Sequence, residues 1–374
     1  MPESPKFERR RILHIGKFYP PHSGGMETYL RDLAVRQARL ANVHVIVSNG
    51  CRKFEKSQVE GVSVTRVGRL GTIASMPVCP GLPSAIRRSP ADIVHIHAPN
   101  PGAALAFFLS GNPAKVVITH HADTLGRKYL RKISDPIVVR LMERASRVLV
   151  TSSRYLRSSP ELAPFREKCD IVPLGIDTYL ASKANPASVE KLRRRFPRGF
   201  ILAVGRLVPY KGFDVLLRAM KQVDVDLVLI GTGPLAEDLK QLARSEWVEG
   251  KVIMPGRVED TRDYFAAASI FVLPSVTRAE AFGIVQLEAM AAGVPVINTD
   301  IDSGVPEVSV HGETGITVPP GDPGALASAI KMLLEQKELR ERFGQAAKAR
   351  VNAEYTADLM CTRTVRVYEE VLRP

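Results

Sequence analysis

A chain of 374 residues is too long for one compact core, so two domains are the natural expectation. Its 45% hydrophobic and 24% charged content is that of an ordinary soluble protein, and no apolar run approaches the roughly 18 residues of a membrane span. The net charge of +13 lies wholly in residues 1–180, where 27 Lys and Arg face 14 Asp and Glu, whereas residues 181–374 balance at 25 each. An anionic partner of the first half alone is expected.

The N-terminus, MPESPKFERRRILHIGKF, lacks the apolar stretch and small-residue cleavage site of a signal peptide, so a cytoplasmic protein is expected. Cys51, Cys79, Cys169 and Cys361 show no metal-like pairing. They read as reduced structural thiols, and no metal or redox site is expected.

In chain order, RILHI (11–15), VHVIVS (43–48), VSVTRV (62–67), DIVHIH (92–97), KVVIT (115–119) and RVLVTS (147–152) read as strands. Residues 26–40 and 126–145 read as helices. Strands alternating with helices predict a parallel, doubly wound α/β sheet. A polar stretch, TYLASKANPAS, follows VPLGID (172–177) and reads as a linker. The pattern then restarts with FILAVGR (200–206), VDLVLIG (225–231), KVIMPG (251–256), SIFVLP (269–274) and PVINTD (295–300), and a last helix spans roughly 356–372. The expected division is 1–178, 179–355 and 356–374. Two such halves predict a cleft at the carboxyl ends of both sheets, where ligands of open α/β sheets bind.

Several short segments fall at those ends. After strand one, Gly24 and Gly25 stand at a helix start; they admit a phosphate or sugar, or simply make a turn. THHAD (119–123) places His120, His121 and Asp123 after the fifth strand, and adjacent residues there point apart, which disfavours a shared metal. GRLVPYKG (205–212) sets Arg206 and Lys211 around a turn, as diphosphate-holding cations or as a solvated pair. GTGP (231–234) is a glycine turn of little specificity. GRV (256–258) leaves Arg257 and Val258 to read a nucleobase edge through the backbone, or to form a plain turn. In RAEAFGIVQLEAM (278–290), Glu280 follows a strand, and Phe282, Gly283 and Ile284 begin a helix whose free amides suit a phosphate. Glu288 lies in greasy surroundings that an unpaired carboxylate tolerates poorly. It accepts from ribose-like hydroxyls, or else it forms a structural salt bridge while Glu280 caps the helix.

Taken together, EAFGIVQLE with the following AMAAGVPVI, GRLVPYKG, IGTGP, SGVPEV (303–308), VPLGID and SGGMETYL resemble the retaining glycosyltransferases of family 4, across nearly the whole chain and in the family's order. The resemblance implies the GT-B fold, two Rossmann-like domains facing across a cleft, the first binding acceptor and the second donor. It implies sugar transfer from a nucleotide-diphosphate sugar with retained configuration and no required metal or other cofactor. Arg206 and Lys211 match the diphosphate-holding pair, and Gly24 and Gly25 the donor-side glycine loop. Glu288 matches the ribose-binding glutamate and Glu280 the one contacting the donor sugar. Phe282, Gly283 and Ile284 match the loop meeting sugar or phosphate. His121 matches the active-site histidine, with His120 and Asp123 beside it, and the last helix crosses back to the first domain. The DIDSGVPEV segment, shared with several bacterial polysaccharide mannosyltransferases, tilts the donor slightly towards GDP-mannose over a UDP-sugar.

The expected acceptor is a saccharide or lipid-linked saccharide in surface polysaccharide or glycolipid synthesis. A non-hydrolysing nucleotide-sugar 2-epimerase and a non-catalytic binding module are the rival readings. Residues 125–147 carry Arg127, Lys128, Arg131, Lys132, Arg140, Arg144 and Arg147 interleaved with apolar residues. This pattern predicts peripheral binding to anionic membrane on the inner face of the plasma membrane, or a helix packed on the sheet with a solvated basic side. No motif supports nucleic acid as the partner.

Overall fold

The computed structural model describes residues 7, 10–22, 24–73, 76–123 and 128–373, with the side chains of 128–134 outside the description. Two units result: Met1–Leu174 with Ala357–Pro374, and Gly175–Thr356.

Among the described residues, unit 1 contains ten strands: β1 (Arg11–Ile15), β2 (Asn42–Ser48), β3 (Glu55–Val59), β4 (Val62–Val67), β5 (Gly71–Ile73), β6 (Met76–Val78), β7 (Ile93–Ala98), β8 (Lys115–His120), β9 (Arg147–Val150) and β10 (Cys169–Ile171). Eight form one sheet in the order β10-β9-β8-β7-β1-β2-β4-β3, while β5 and β6 make a separate hairpin. The expected all-parallel sheet needs one correction. β3 pairs antiparallel with β4 at the edge, where its sequence, EKSQV, is too polar to be buried on both faces. The central strands show the opposite pattern, with all six residues of β7 buried.

Unit 2 contains β11 (Phe200–Val204), β12 (Asp226–Ile230), β13 (Val252–Gly256), β14 (Ile270–Val272), β15 (Val296–Thr299) and β16 (Gly315–Val318). They form a parallel sheet ordered β13-β12-β11-β14-β15-β16. Its core gathers Leu216, Leu217, Leu227, Leu229, Ile270 and Ile330, among other fully buried aliphatic side chains. The stretch read as a linker is in fact partly helical. Thr178–Ala181 is capped by Asp177, and Pro186–Arg195 by Asn185, whose side-chain oxygen accepts from Ala187 and Ser188. Asn followed by Pro is a helix-start signal that its polar surroundings concealed.

The helix Ala357–Leu372 belongs to unit 1, packing on the first helix (Gly25–Gln37) and on β8 and β9. Among the described residues, no helix is long and apolar enough to cross a membrane.

Candidate active site

In an open α/β sheet, ligands bind where neighbouring strands send their chains to opposite sides. In unit 2 that point lies between β11 and β14, and the segments that leave these strands carry the main candidates. Behind β11, Pro209–Lys211 forms a short helical turn ended by Gly212, at φ +65°. A Cβ on Gly212 would stand 2.1 Å from the Pro274 carbonyl oxygen, so only glycine lets this turn lie against the chain leaving β14. Val276 N–H donates to the Tyr210 carbonyl at 2.8 Å and fastens the two segments.

The result is a buried ion pair between Lys211 Nζ and Glu280 Oε2, with side chains about one-tenth exposed. Ser275 Oγ donates to the same carboxylate oxygen at 3.1 Å, and Thr299 Oγ1 in turn donates to the Ser275 carbonyl. Glu280 therefore caps no helix. Burial and the Glu280 charge raise the neighbouring Tyr210 hydroxyl above its ordinary value. Arg206 is a different kind of cation: it is exposed, and its side chain makes no hydrogen bond or ion pair among the described residues.

The expected helix start at Phe282 is corrected to Val285, because Gly283 has φ +70° and cannot lie in a right-handed helix. Its missing Cβ would meet Leu273 Cδ2 at 2.6 Å, so this glycine serves packing. Phe282 is buried, and Ile284 is the half-buried N-cap residue. A network that the sequence reading missed holds the loop. Gln286 Nε2 donates to the carbonyls of Phe282 (3.1 Å) and Val305 (3.3 Å), and Asn298 Nδ2 donates to Gln286 Oε1 at 3.0 Å. A polar Gln beside two glutamates was the available signal.

Glu288, in the following helix, is half-buried, and its carboxyl group has no hydrogen bond or ion pair among the described residues. Burial pushes its carboxyl up to about 7. Gly231 and Gly233 would place a Cβ 1.8 Å from the Gly205 carbonyl oxygen and 2.3 Å from that of Leu207, so the GTGP glycines serve close loop packing. Arg257 is exposed and Val258 half-buried, just past β13.

In unit 1, Gly24 is the extended N-cap of Gly25–Gln37 and lacks a capping side chain. His120 and His121 point apart. His120 Nδ1 meets Tyr155 OH at 2.9 Å, and its Nε2 meets Glu161 at 3.3 Å. Asp123 joins this side by accepting from Tyr155 OH (3.1 Å) and Ser159 Oγ (2.5 Å). His121 lies on the other face, against the edge of Tyr29 and stacked on His97. Burial brings the His121 imidazole down to about 3. His14, His95 and His97 share this face, in a cluster that the alternating DIVHIH pattern could have disclosed. His120, Asp123 and Glu161 also have ligating atoms close enough to surround a cation, and hydrogen bonds already engage both ring nitrogens of His14, His95, His97 and His120.

Comparison with known proteins decides what this arrangement belongs to. Residues 23–180 match the family described as Glycosyltransferase Family 4, and residues 186–350 that described as Glycosyl transferases group 1. The D-rhamnosyltransferase WbpZ of Pseudomonas aeruginosa is 34% identical over 71% of this chain and 70% of its own. The chain belongs to glycosyltransferase family 4. This glycosyltransferase is also 28% identical to O-antigen chain mannosyltransferase C of Escherichia coli, over 97% of this chain and 99% of that one. A GDP-mannose-dependent phosphatidylinositol monomannoside mannosyltransferase of Corynebacterium glutamicum is 29% identical, over 96% and 98%. Among solved structures, sucrose-phosphate synthase from Thermosynechococcus elongatus superposes with a TM-score of 0.81 at 21% identity, over 97% and 99% of the two chains. Anabaena HepE in complex with UDP and glucose gives 0.81 at 20%, over 96% and 100%. The fold is GT-B, and the enzyme moves a sugar from a nucleotide-diphosphate sugar to a saccharide or lipid acceptor.

Proposed function

We propose that this glycosyltransferase transfers a hexose, mannose from GDP-mannose before a UDP-sugar, with retained configuration and no required metal, to a saccharide or lipid-linked saccharide of a surface polysaccharide or glycolipid. The observation that carries the site reading is the contrast between the two glutamates. Glu280 is held by Lys211 and Ser275, whereas Glu288 is a carboxyl raised to about 7 with no bonding partner among the described residues. Such a carboxyl is suited to accept hydrogen bonds from ribose hydroxyls. Lys211 and Arg206 hold the diphosphate, aided by the Gly24–Gly25 segment, and offset the charge that grows as the sugar C1–O bond breaks. Glu280 orients the donor sugar, the 282–284 loop lies along sugar or phosphate, Arg257 and Val258 meet the base, and His121 hydrogen-bonds the sugar or its developing charge, with His120 and Asp123 behind it. The mannosyltransferases of E. coli and C. glutamicum support the choice of donor.

A thermal-shift panel of nucleotide sugars, with and without EDTA, followed by anomeric analysis of the product, tests this reading. Preferential stabilisation by a UDP-sugar would overturn the donor, loss of transfer in EDTA would overturn metal independence, and an inverted product would overturn retention. An epimerised donor formed without acceptor would replace transfer by epimerisation.

We further propose that unit 1 associates peripherally with anionic membrane at the cytoplasmic face. Leu105, Leu109 and Val139 are exposed on packed helices, and Arg140 lies over the Phe108 ring at 5.5 Å. Arg144 donates to the Ala114 carbonyl, and Arg147 pairs with Asp170. Arg127 and the side chains of Lys128, Arg131 and Lys132 lie outside the described residues. Sedimentation with anionic and neutral liposomes at low and high salt tests the idea; equal recovery in all four would sink it.

A further inference from the structure

His14 on β1, His97 on β7 and His121 just past β8 form a row across three neighbouring strands of unit 1. Their ring centroids are 5.3 Å and 5.7 Å apart. Their nitrogens meet in sequence: His14 Nδ1 is 3.1 Å from His97 Nε2, and His97 Nδ1 is 3.4 Å from His121 Nε2. At the inner end stands Gln37, the last residue of the first helix, with Oε1 2.7 Å from His14 Nε2. None of the four residues is more than 8% exposed.

Burial keeps the row uncharged near neutral pH. It holds His14 down to about 4, His121 down to about 3, and His97 well below the ordinary imidazole value. A neutral imidazole has one N–H and one lone pair, so each ring in such a row must donate on one side and accept on the other. An amide oxygen can only accept. Gln37 Oε1 therefore requires the hydrogen of His14 on Nε2, which leaves Nδ1 to accept from His97 Nε2. The same rule makes His97 Nδ1 accept from His121 Nε2. Nδ1 of His121 is left as the bare nitrogen.

We propose that Gln37, acting through His14 and His97, fixes His121 as its Nε2–H tautomer and so determines that this side chain offers a ligand a lone pair on Nδ1. A sugar hydroxyl can donate to that nitrogen; a reversed row would present an N–H instead. The bearing on turnover rests on His121 meeting the sugar, as proposed above. Gln37 is then a positioning residue. The neighbouring His95 forms a separate branch, Nδ1 meeting Tyr368 OH at 2.5 Å and Nε2 meeting Thr119 Oγ1 at 2.7 Å, so it does not feed the row. Gln37 Nε2 has no hydrogen-bond partner among the described residues, so the amide is held by the contact of its Oε1 with His14.

The test is long-range ¹H–¹⁵N correlation on the full chain, with ¹⁵N-labelled histidine at pH 7.5. The expected pattern is Nε2 protonated in His14, His97 and His121. Gln37→Met removes the acceptor at similar size, and His97→Phe interrupts the row. Both should turn His121 into a mixture of tautomers and lower kcat roughly tenfold at unchanged donor KM. A Nδ1–H or charged His121 in the unaltered protein overturns the proposal, as does a folded Gln37→Met variant with the original pattern and kcat. Should the variants not fold, the unaltered spectrum decides the row alone. His121→Ala separates the two readings: undiminished transfer there removes the sugar-facing role and with it the effect of Gln37 on turnover, while the nitrogen pattern still decides the tautomer.

Discussion

Removing the Lys211 ammonium would leave the Glu280 carboxylate buried, with Ser275 Oγ at 3.1 Å as its remaining hydrogen-bond donor. Breaking one side of a buried pair is costlier than replacing both, so Lys211→Met should destabilise by about 3 kcal/mol, and adding Glu280→Gln should recover part of it. Urea unfolding of the two single variants and the double variant measures this; an additive cycle would show that the pair is not coupled. In kinetics, Glu280→Gln should lower kcat far more than donor affinity, whereas Lys211→Ala should damage both. Glu288 gives a prediction of opposite character. Its folded value of about 7 lies above the ordinary carboxyl value of 4.5, so its contribution to stability is full below about 4.5 and is lost as pH rises through 7. Glu288→Gln should therefore stabilise the ligand-free enzyme at pH 8, by on the order of 1–2 kcal/mol once partial exposure is discounted, and change little at pH 5. Equal Tm shifts at both pH values would rule this out. The sequence disclosed that Glu288 sits among apolar neighbours, but could not disclose that Glu280 finds Lys211. That contact joins two segments 69 positions apart, through a turn that depends on Gly212.

Within the 278–291 element, chemistry and conformation compete for the same glycine. Gly283→Ala would force a side chain into a left-handed backbone and towards Leu273, at a cost of about 1–3 kcal/mol. Chemical denaturation measures that cost, and an unchanged midpoint would contradict the packing role. In sequence this Phe-Gly pair reads as the opening of a helix, because glycine serves ligand approach and backbone reversal alike. The sign of φ separates them, and φ is not written in residue types. Strands were more legible than turns for a related reason. Buried β-branched runs such as VHVIVS declare themselves locally, whereas the polar edge strand β3 is a strand only because β4 lies beside it. The Gln286–Asn298 bond was likewise hidden, since it depends on β15 returning beside the helix.

At the scale of the whole chain, unit 1 carries a set of buried neutral imidazoles: His14, His95, His97 and His121. Their folded values lie below the ordinary 6.5, so the stability they contribute is present above 6.5 and is lost as pH falls towards the folded values, about 4 for His14 and about 3 for His121. Each unit of depression corresponds to about 1.4 kcal/mol. Four such groups should outweigh the opposite trend of Glu288. The urea midpoint is thus expected to drop between pH 7 and pH 5, and a level midpoint would mean that these rings take up protons without unfolding. The two-domain α/β architecture itself was readable from alternation and length, because burial on both faces leaves its mark on every central strand.

Unit 1 is also discontinuous: its residues up to Leu174 are completed by Ala357–Leu372, with all of unit 2 inserted between. Domains usually fold in the order in which the ribosome releases them. Here the first-made sheet must wait, without Tyr368 to pair His95 or the helix that packs on β8, until the later-made unit has been translated. The nascent chain thus finishes its second domain before it can finish its first, and in that interval the surface of the first helix, β8 and β9 that the last helix will cover stays open.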